Sequence, residues 1–217
     1  MGHQRCCILL GLMILTLAVQ ANEDWELIKQ EEGVKVYSKL NGSSQYIEIK
    51  AVSSTKSSLA SFVALMNDVG NFQNWMHATK EAKLIERTGP YGFIYYLHSD
   101  LPWPAQDRDV VLKLSIHQDQ STGAVYTKST NIKGRISEKE GIHRICSVET
   151  SWRFIPLTEK TVRIVFHTRV IPKVHLPDWL AREIYHIGPY HTINKMKTLI
   201  TRDKYQDARV NMDQLVK

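Results

Sequence analysis

A succession of short β-rich runs fills this chain from residue 33 to residue 172, and one long helical pattern follows it. That order constrains the fold more than any other feature. The runs cover 33–40, 45–54, 81–87, 91–99, 107–117, 123–132, 142–155 and 161–172, and most joints between them are short and carry Gly, Pro or Asn. Consecutive strands with hairpin joints pair antiparallel, and Asn41-Gly42-Ser43-Ser44 is such a joint. The stretch 55–68 reads as a helix capped by Thr55 or Ser57, with Leu59, Phe62, Val63 and Met66 on one stripe. A short irregular or helical passage follows it. From Pro177 to about Tyr205 the pattern is helical again. Leu180, Ile184 and Ile187 share a face, Gly188-Pro189 predicts a kink, and Ile193, Met196 and Ile200 resume the stripe. Lys195, Lys197, Arg202 and Lys204 make the other side basic. A long amphipathic helix after a meandering sheet is placed to close the mouth of a curved sheet. The expected class is α+β.

Residues 1–21 stand apart. Arg5 precedes an apolar stretch from Cys6 to Val19, and small residues close it at Val19 and Ala21. This is the layout of a secretory signal peptide, and the stretch is shorter than the roughly 20 residues of a comfortable membrane helix. Residues 22–217 then form the mature part, 196 residues with no repeat and no linker, enough for one domain with a sizeable core. The expected location is extracytoplasmic, periplasmic or secreted. The net charge of +6 becomes +5 once Arg5 is removed, and no Lys/Arg run is dense enough for nucleic acid. A mildly basic surface does suit transient contact with an anionic membrane. Cys146 alone remains in the mature part, so no internal disulfide forms and stability rests on a hydrophobic core. One core without a linker is expected to be a monomer.

Five segments then resemble one family in order. "DWELIKQEEGVKVYSK" (24–39) is similar to an opening Trp followed by an acidic-Gly turn and a strand. "NDVGNFQNWM" (67–76) places an Asp before an aromatic and a Trp, and "LPWPAQDRDVVL" (101–112) has a Pro-Trp-Pro stretch leading to Arg-Asp. "SWRFIPL" (151–157) and "VIPKVHLPDWLAREI" (170–184) resemble the closing strand and the passage into the last helix. Together they resemble the START domain, the steroidogenic-acute-regulatory-protein-related lipid-transfer module. The resemblance implies a helix-grip fold, a curved antiparallel sheet around a long C-terminal helix with an apolar cavity between them. It also implies non-covalent binding of one lipid, acyl chain or sterol-like molecule, for transport or sensing. Sterol-binding members carry an arginine a few residues beyond the Arg-Asp motif. Here that stretch is "VVLKLSIH", with Leu112 and Leu114 on the cavity side, which favours an acyl chain or another lipid.

Strand alternation assigns the walls of that cavity. Arg108, Val110, Leu112, Leu114 and Ile116 share one face of a strand, and Asp109, Val111 and Lys113 share the other. Cys146, Val148, Thr150, Trp152 and Phe154 fall on one face of the next long strand, and Val162, Ile164, Phe166, Thr168 and Val170 on one face of the last. Ile184, Ile187 and Ile193 supply the opposing helical wall. The candidate ligand-binding residues are therefore Arg108, Val110, Leu112, Leu114, Trp152, Phe154, Ile164, Phe166, Ile184, Ile187 and Ile193. Arg108 is an uncompensated charge on an oily face, so it is expected to be a staple paired with a carboxylate or backbone oxygens, or alternatively to hold a polar ligand head. The loop 117–123 and the helix around Gly188-Pro189 are the expected door.

The wider superfamily includes aromatase/cyclases, so an enzyme is the second class to weigh. Tyr95 and His98 are its acid–base candidates. The chain carries no His-x-x-x-His, Cys-x-x-Cys, Gly-x-Ser-x-Gly or phosphate loop, and neither metal nor cofactor is expected. A binding protein without catalysis is the preferred class. One consequence is directly testable: N-terminal sequencing of protein recovered from the extracytoplasmic fraction should begin at or near Asn22, and an intact Met1 would contradict cleavage.

Overall fold

The computed structural model of the 217-residue chain describes residues 25–40, 47–171 and 178–215. The signal-peptide segment, the Asn41–Ser44 turn and Pro177 lie outside the described residues. Ten strands alternate with little helix: β1 Glu26–Glu31, β2 Val34–Leu40, β3 Ile47–Lys56, β4 Thr79–Gly89, β5 Gly92–Ser99, β6 Asp107–Gln118, β7 Val125–Asn131, β8 Ile142–Arg144, β9 Val148–Thr158 and β10 Thr161–Val170. They form one sheet in the order β1-β2-β3-β10-β9-β7-β6-β5-β4, antiparallel throughout. β8 lies off this path and pairs parallel with the start of β6. Helix α1, Leu59–Asn67, and a 3₁₀ turn, Val69–Asn74, interrupt the strands once. The C-terminal helix follows as α2 Asp178–Arg182, a π-helical turn Glu183–Ile187 and α3 Gly188–Leu199, before the short α4 Asp203–Gln206. This is the helix-grip architecture expected above.

Three boundaries differ from the sequence reading, each for a local reason. β1 was not expected as a strand; it is a largely polar edge strand whose Leu27 is exposed, so no buried face marks it. Helix α1 begins later than expected and Ser58 caps it, its hydroxyl accepting the Ser61 N–H at 3.1 Å. Thr55 is still pairing in β3, and Ser57 gives its N–H to the Lys160 carbonyl. The single strand expected over 142–155 breaks into β8 and β9, because residues 142–144 leave the antiparallel path to lie along β6.

The kink expected at Gly188-Pro189 is the π-helical turn itself. The Gly188 N–H donates to the Glu183 carbonyl, five residues back, and Pro189 has no N–H to restore the normal register. Gly188 also allows close packing: a Cβ there would meet the His77 ring at 3.2 Å. Beyond the turn, α3 packs across β2 and β3 and is fastened to the β1–β2 turn. The Glu32 carboxylate accepts from the Tyr190 hydroxyl and the Asn194 amide, both at 2.9 Å, and Lys197 donates to the Glu32 carbonyl. Among the described residues no helix is long and apolar enough to cross a membrane.

The start of β6 explains its own charges. Asp109 faces outward yet is only 1% exposed, because Arg144 from β8 covers it with two bonds of 2.6 and 3.0 Å. Arg144 also donates to the Ile136 and Ser137 carbonyls, so the pair ties the 132–145 segment over a small outer cluster of Ile94, Tyr96 and Val111. Asp107 accepts from His98 at 2.7 Å and from the Leu101 N–H. The staple at this strand mouth is therefore Asp109–Arg144, and the expectation that Arg108 fills that role is corrected. Burial pushes the Asp109 carboxyl up, but the Arg144 hydrogen bond and charge outweigh it and hold the group below the usual carboxylate range. The pair's contribution is thus complete above the ordinary carboxylate pKa and is lost only as pH falls through the lowered value. Arg144→Leu leaves a buried carboxylate behind and should cost about 3–5 kcal/mol in denaturant unfolding. Adding Asp109→Leu should recover most of that loss; a double variant as weak as the single one would contradict the staple.

Candidate ligand-binding site

The space between sheet and helix is divided into a filled half and an open half. In the filled half Phe62 of α1 stacks on Phe154 with centroids 4.5 Å apart. Trp75 meets Trp152 edge-on at 5.7 Å, and Phe72 packs edge-on against both Trp75 and Tyr95. These rings are essentially unexposed. Val110, Leu112, Leu114, Trp152, Phe154, Ile164 and Ile193 are buried in the same core. The sequence placed these seven on the correct inward faces, but none of them borders the open space. Ile187, half-buried in the π-helical turn, does not border it either.

The open half is a cavity of about 280 Å³ at the Arg108 end of the sheet. Ile145, Val148, Phe166 and Val170 form its sheet side, Ile184 and Pro189 its helix side, and Leu101 contributes from the β5–β6 connection. Of the sequence-assigned site residues, it brings together Arg108, Phe166 and Ile184. The helical face that lines it runs through Ile184, Tyr185, Gly188, Pro189 and Thr192, a spacing of four with its neighbours. The 180/184/187 stripe missed Tyr185 because it followed aliphatic residues only.

The polar part of the wall is small. Ser99 lies directly opposite Arg108 in the β5–β6 register. Tyr185, His143, Cys146, Thr168 and His77 complete it, with Thr168 already bonded to Thr150 at 3.1 Å. No Asp or Glu lines the cavity among the described residues. Burial lowers the Arg108 pKa and the neighbouring Tyr185 phenol opposes the shift; no hydrogen bond or ion pair reaches the guanidinium among the described residues. Ser99 continues the inward alternation of Tyr95 and Leu97, and Tyr185 neighbours Ile184 on the helix, but a search for apolar faces passes over both because they are polar.

One side of the cavity is held by a contact between the turn after the 3₁₀ segment and the helix. The His77 N–H donates to the Thr192 hydroxyl at 3.0 Å, and His77 Nε2 meets Glu183 at 3.0 Å. Burial holds the His77 pKa below its ordinary value against the opposing pull of Glu183. The expected door at 117–123 is corrected: that turn follows the far end of β6, where Val125 pairs opposite Phe154 in the filled half.

The acid–base candidates do not meet. Tyr95 faces the core, where burial pushes its phenol up to about 12 against its bond to Ser129. His98 lies on the opposite face of β5, bonded to Asp107. Among the described residues no three His, Cys, Asp or Glu side chains are grouped to hold a metal ion.

Comparison with known proteins agrees with this geometry. The START domain family model matches residues 13–202, beginning within the segment that reads as a signal peptide. An uncharacterized protein of Pseudomonas aeruginosa is 29% identical over 176 residues, which is 81% of this chain and 86% of that one. A STAR-related lipid transfer protein fragment from Xanthomonas axonopodis superposes with a TM-score of 0.73 at 22% identity, covering 82% of this chain and 99% of the fragment. Human STARD10 superposes at 0.69 with 19% identity, covering 83% of this chain and 74% of that one. These likenesses are of fold.

The two halves predict opposite responses to truncation. Phe154→Ala, in the packed half, should lose about 3–5 kcal/mol of stability. Arg108→Leu removes a charge that no described group balances, so its unfolding midpoint should stay or rise. A loss for Arg108→Leu comparable to that for Phe154→Ala would restore the staple reading.

Proposed function

Because the chain belongs to the START domain family, we propose that it binds one hydrophobic molecule non-covalently between sheet and helix and carries it between membranes. The observation that supports this best is the apolar cavity beside the packed aromatic core. A hydrocarbon chain seated there takes its apolar surface out of water and supplies the packing contacts that the walls otherwise lack. At about 30 Å³ per group, 280 Å³ holds about nine methylene-sized groups. Their burial contributes about 7 kcal/mol, which corresponds to low-micromolar binding before the cost of confinement. The same volume favours one acyl chain over a two-chain lipid.

The ligand enters, in this reading, by loosening of the helix at the π-helical turn. That turn lies between two α-helical pieces, has no buried residue of its own, and is held to the sheet side by His77. Trp103, 89% exposed in the loop that also supplies Leu101, and the half-exposed Trp179 in α2 suit the membrane–water interface, where amphipathic rings concentrate. The basic side of α3 favours anionic lipid. The signal-peptide layout of residues 1–21 supports a site of action outside the cytoplasm, and a single core without a linker supports a monomer. Catalysis is not part of the proposal, since Tyr95 and His98 lie on opposite faces of their strand.

Native mass spectrometry of the purified protein tests it. One small hydrophobic adduct should be present per chain and should be lost on denaturation. Val148→Trp, which puts a large ring into the cavity, should abolish the adduct while the unfolding midpoint holds. A wild-type protein that carries no adduct and takes up no aliphatic chain would overturn the carrier reading.

A further inference from the structure

The cavity contains a charge that nothing described balances. Arg108 projects from an otherwise oily strand face, partly buried, with no hydrogen bond or ion pair among the described residues. Its two neighbours in the strand show how this fold treats charge elsewhere: Asp107 is bonded to His98 and Asp109 is doubly bonded to Arg144. Among the described residues only the inward member of the triplet lacks a hydrogen-bond or ion-pair partner. A guanidinium in apolar surroundings is costly without an acceptor, and it cannot escape by losing its proton.

The groups around it are donors as well. The Ser99 hydroxyl stands across the strand pair from Arg108, and the Tyr185 phenol reaches the same space from the helix. Neither has a hydrogen bond among the described residues, and no carboxylate lines the cavity. The five guanidinium N–H groups share this part of the wall with the two hydroxyls and with His143, which pairs with Arg108 across β6 and β8, and no carboxylate is among the described lining residues. The rest of the wall is largely apolar, with Ile145, Val148 and Phe166 from the sheet and Ile184 from the helix. One end of the cavity therefore fits an oxyanion and the other fits a hydrocarbon chain.

We propose that the ligand is a single-chain amphiphile with an oxyanion head, a carboxylate or phosphate monoester, held by Arg108 with Ser99 and Tyr185 while its chain lies against Val148, Phe166 and Ile184. The proposal rests on the carrier reading above and narrows it from any hydrophobic molecule to an acidic one. Arg pairs with either head in a bidentate fork, so the shared chemistry is a planar or tetrahedral set of anionic oxygens.

Titration calorimetry with decanoate, decyl phosphate, decanol, acetate and inorganic phosphate separates the possibilities. The wild-type protein should bind decanoate or decyl phosphate at least tenfold more tightly than decanol, and should show no binding of acetate or inorganic phosphate at millimolar concentration. Arg108→Leu should lose the preference for the acids over decanol; Arg108→Lys should keep part of it. Equal wild-type affinity for decanol and both acids would overturn the anionic head and leave the carrier intact. Survival of the preference in Arg108→Leu would move the head elsewhere and overturn it too. Inorganic phosphate bound as tightly as decyl phosphate would mean an anion site without a chain. Failure to bind any of the three decyl ligands would overturn the carrier and the head together.

Discussion

Face-to-face and edge-to-face packing of aromatic rings decides what the interior of this sheet can be. Phe62 against Phe154, Trp75 against Trp152 and Phe72 against Tyr95 fill one half of the concave face completely. Such pairs bury large surfaces and add specific geometry to the hydrophobic term. Because α1, the 3₁₀ turn and Trp75 just after it supply three of the six rings, this insertion is what fills the trough and leaves a cavity at one end. The C-terminal helix then has to serve two purposes. Ile193 and Met196 complete the core, while the π-helical turn before them borders the empty space.

Charge placement along β6 follows the same division. A strand alternates its faces, so Asp107 and Asp109 turn outward where His98 and Arg144 meet them, and Arg108 turns inward. The outward pairs stabilise the fold and close the 132–145 segment over the sheet. The inward arginine stabilises nothing among the described residues. A side chain that burial penalises and no neighbour rewards is the kind of local conflict that concentrates at functional sites.

Much of this was legible in the sequence, and the exceptions have physical causes. The inward faces of β6, β9 and β10 followed from alternation, and the closing helix from its apolar stripe. The kink at Gly188-Pro189 followed from the missing Pro N–H. Which half of that face stays open did not, because it depends on where α1 packs, a tertiary fact with no local signature. The true partner of the charged triplet was hidden for a related reason. Arg144 lies 35 residues beyond Asp109 and arrives through a parallel three-residue pairing that no hairpin signal announces. Ser99 and Tyr185 lie on inward faces but were passed over because the search followed apolar residues.

The central claim is one of position: a single chain lies at the Arg108 end, between sheet and helix, and the far end is solid. A crystal of the protein grown with 10-bromodecanoate, measured at the bromine absorption edge, tests that placement directly. The anomalous peak should lie inside the cavity walled by Ile145, Val148, Phe166 and Ile184, one per chain. A peak on the outer face of the sheet, or near the turn between β6 and β7, would contradict the account.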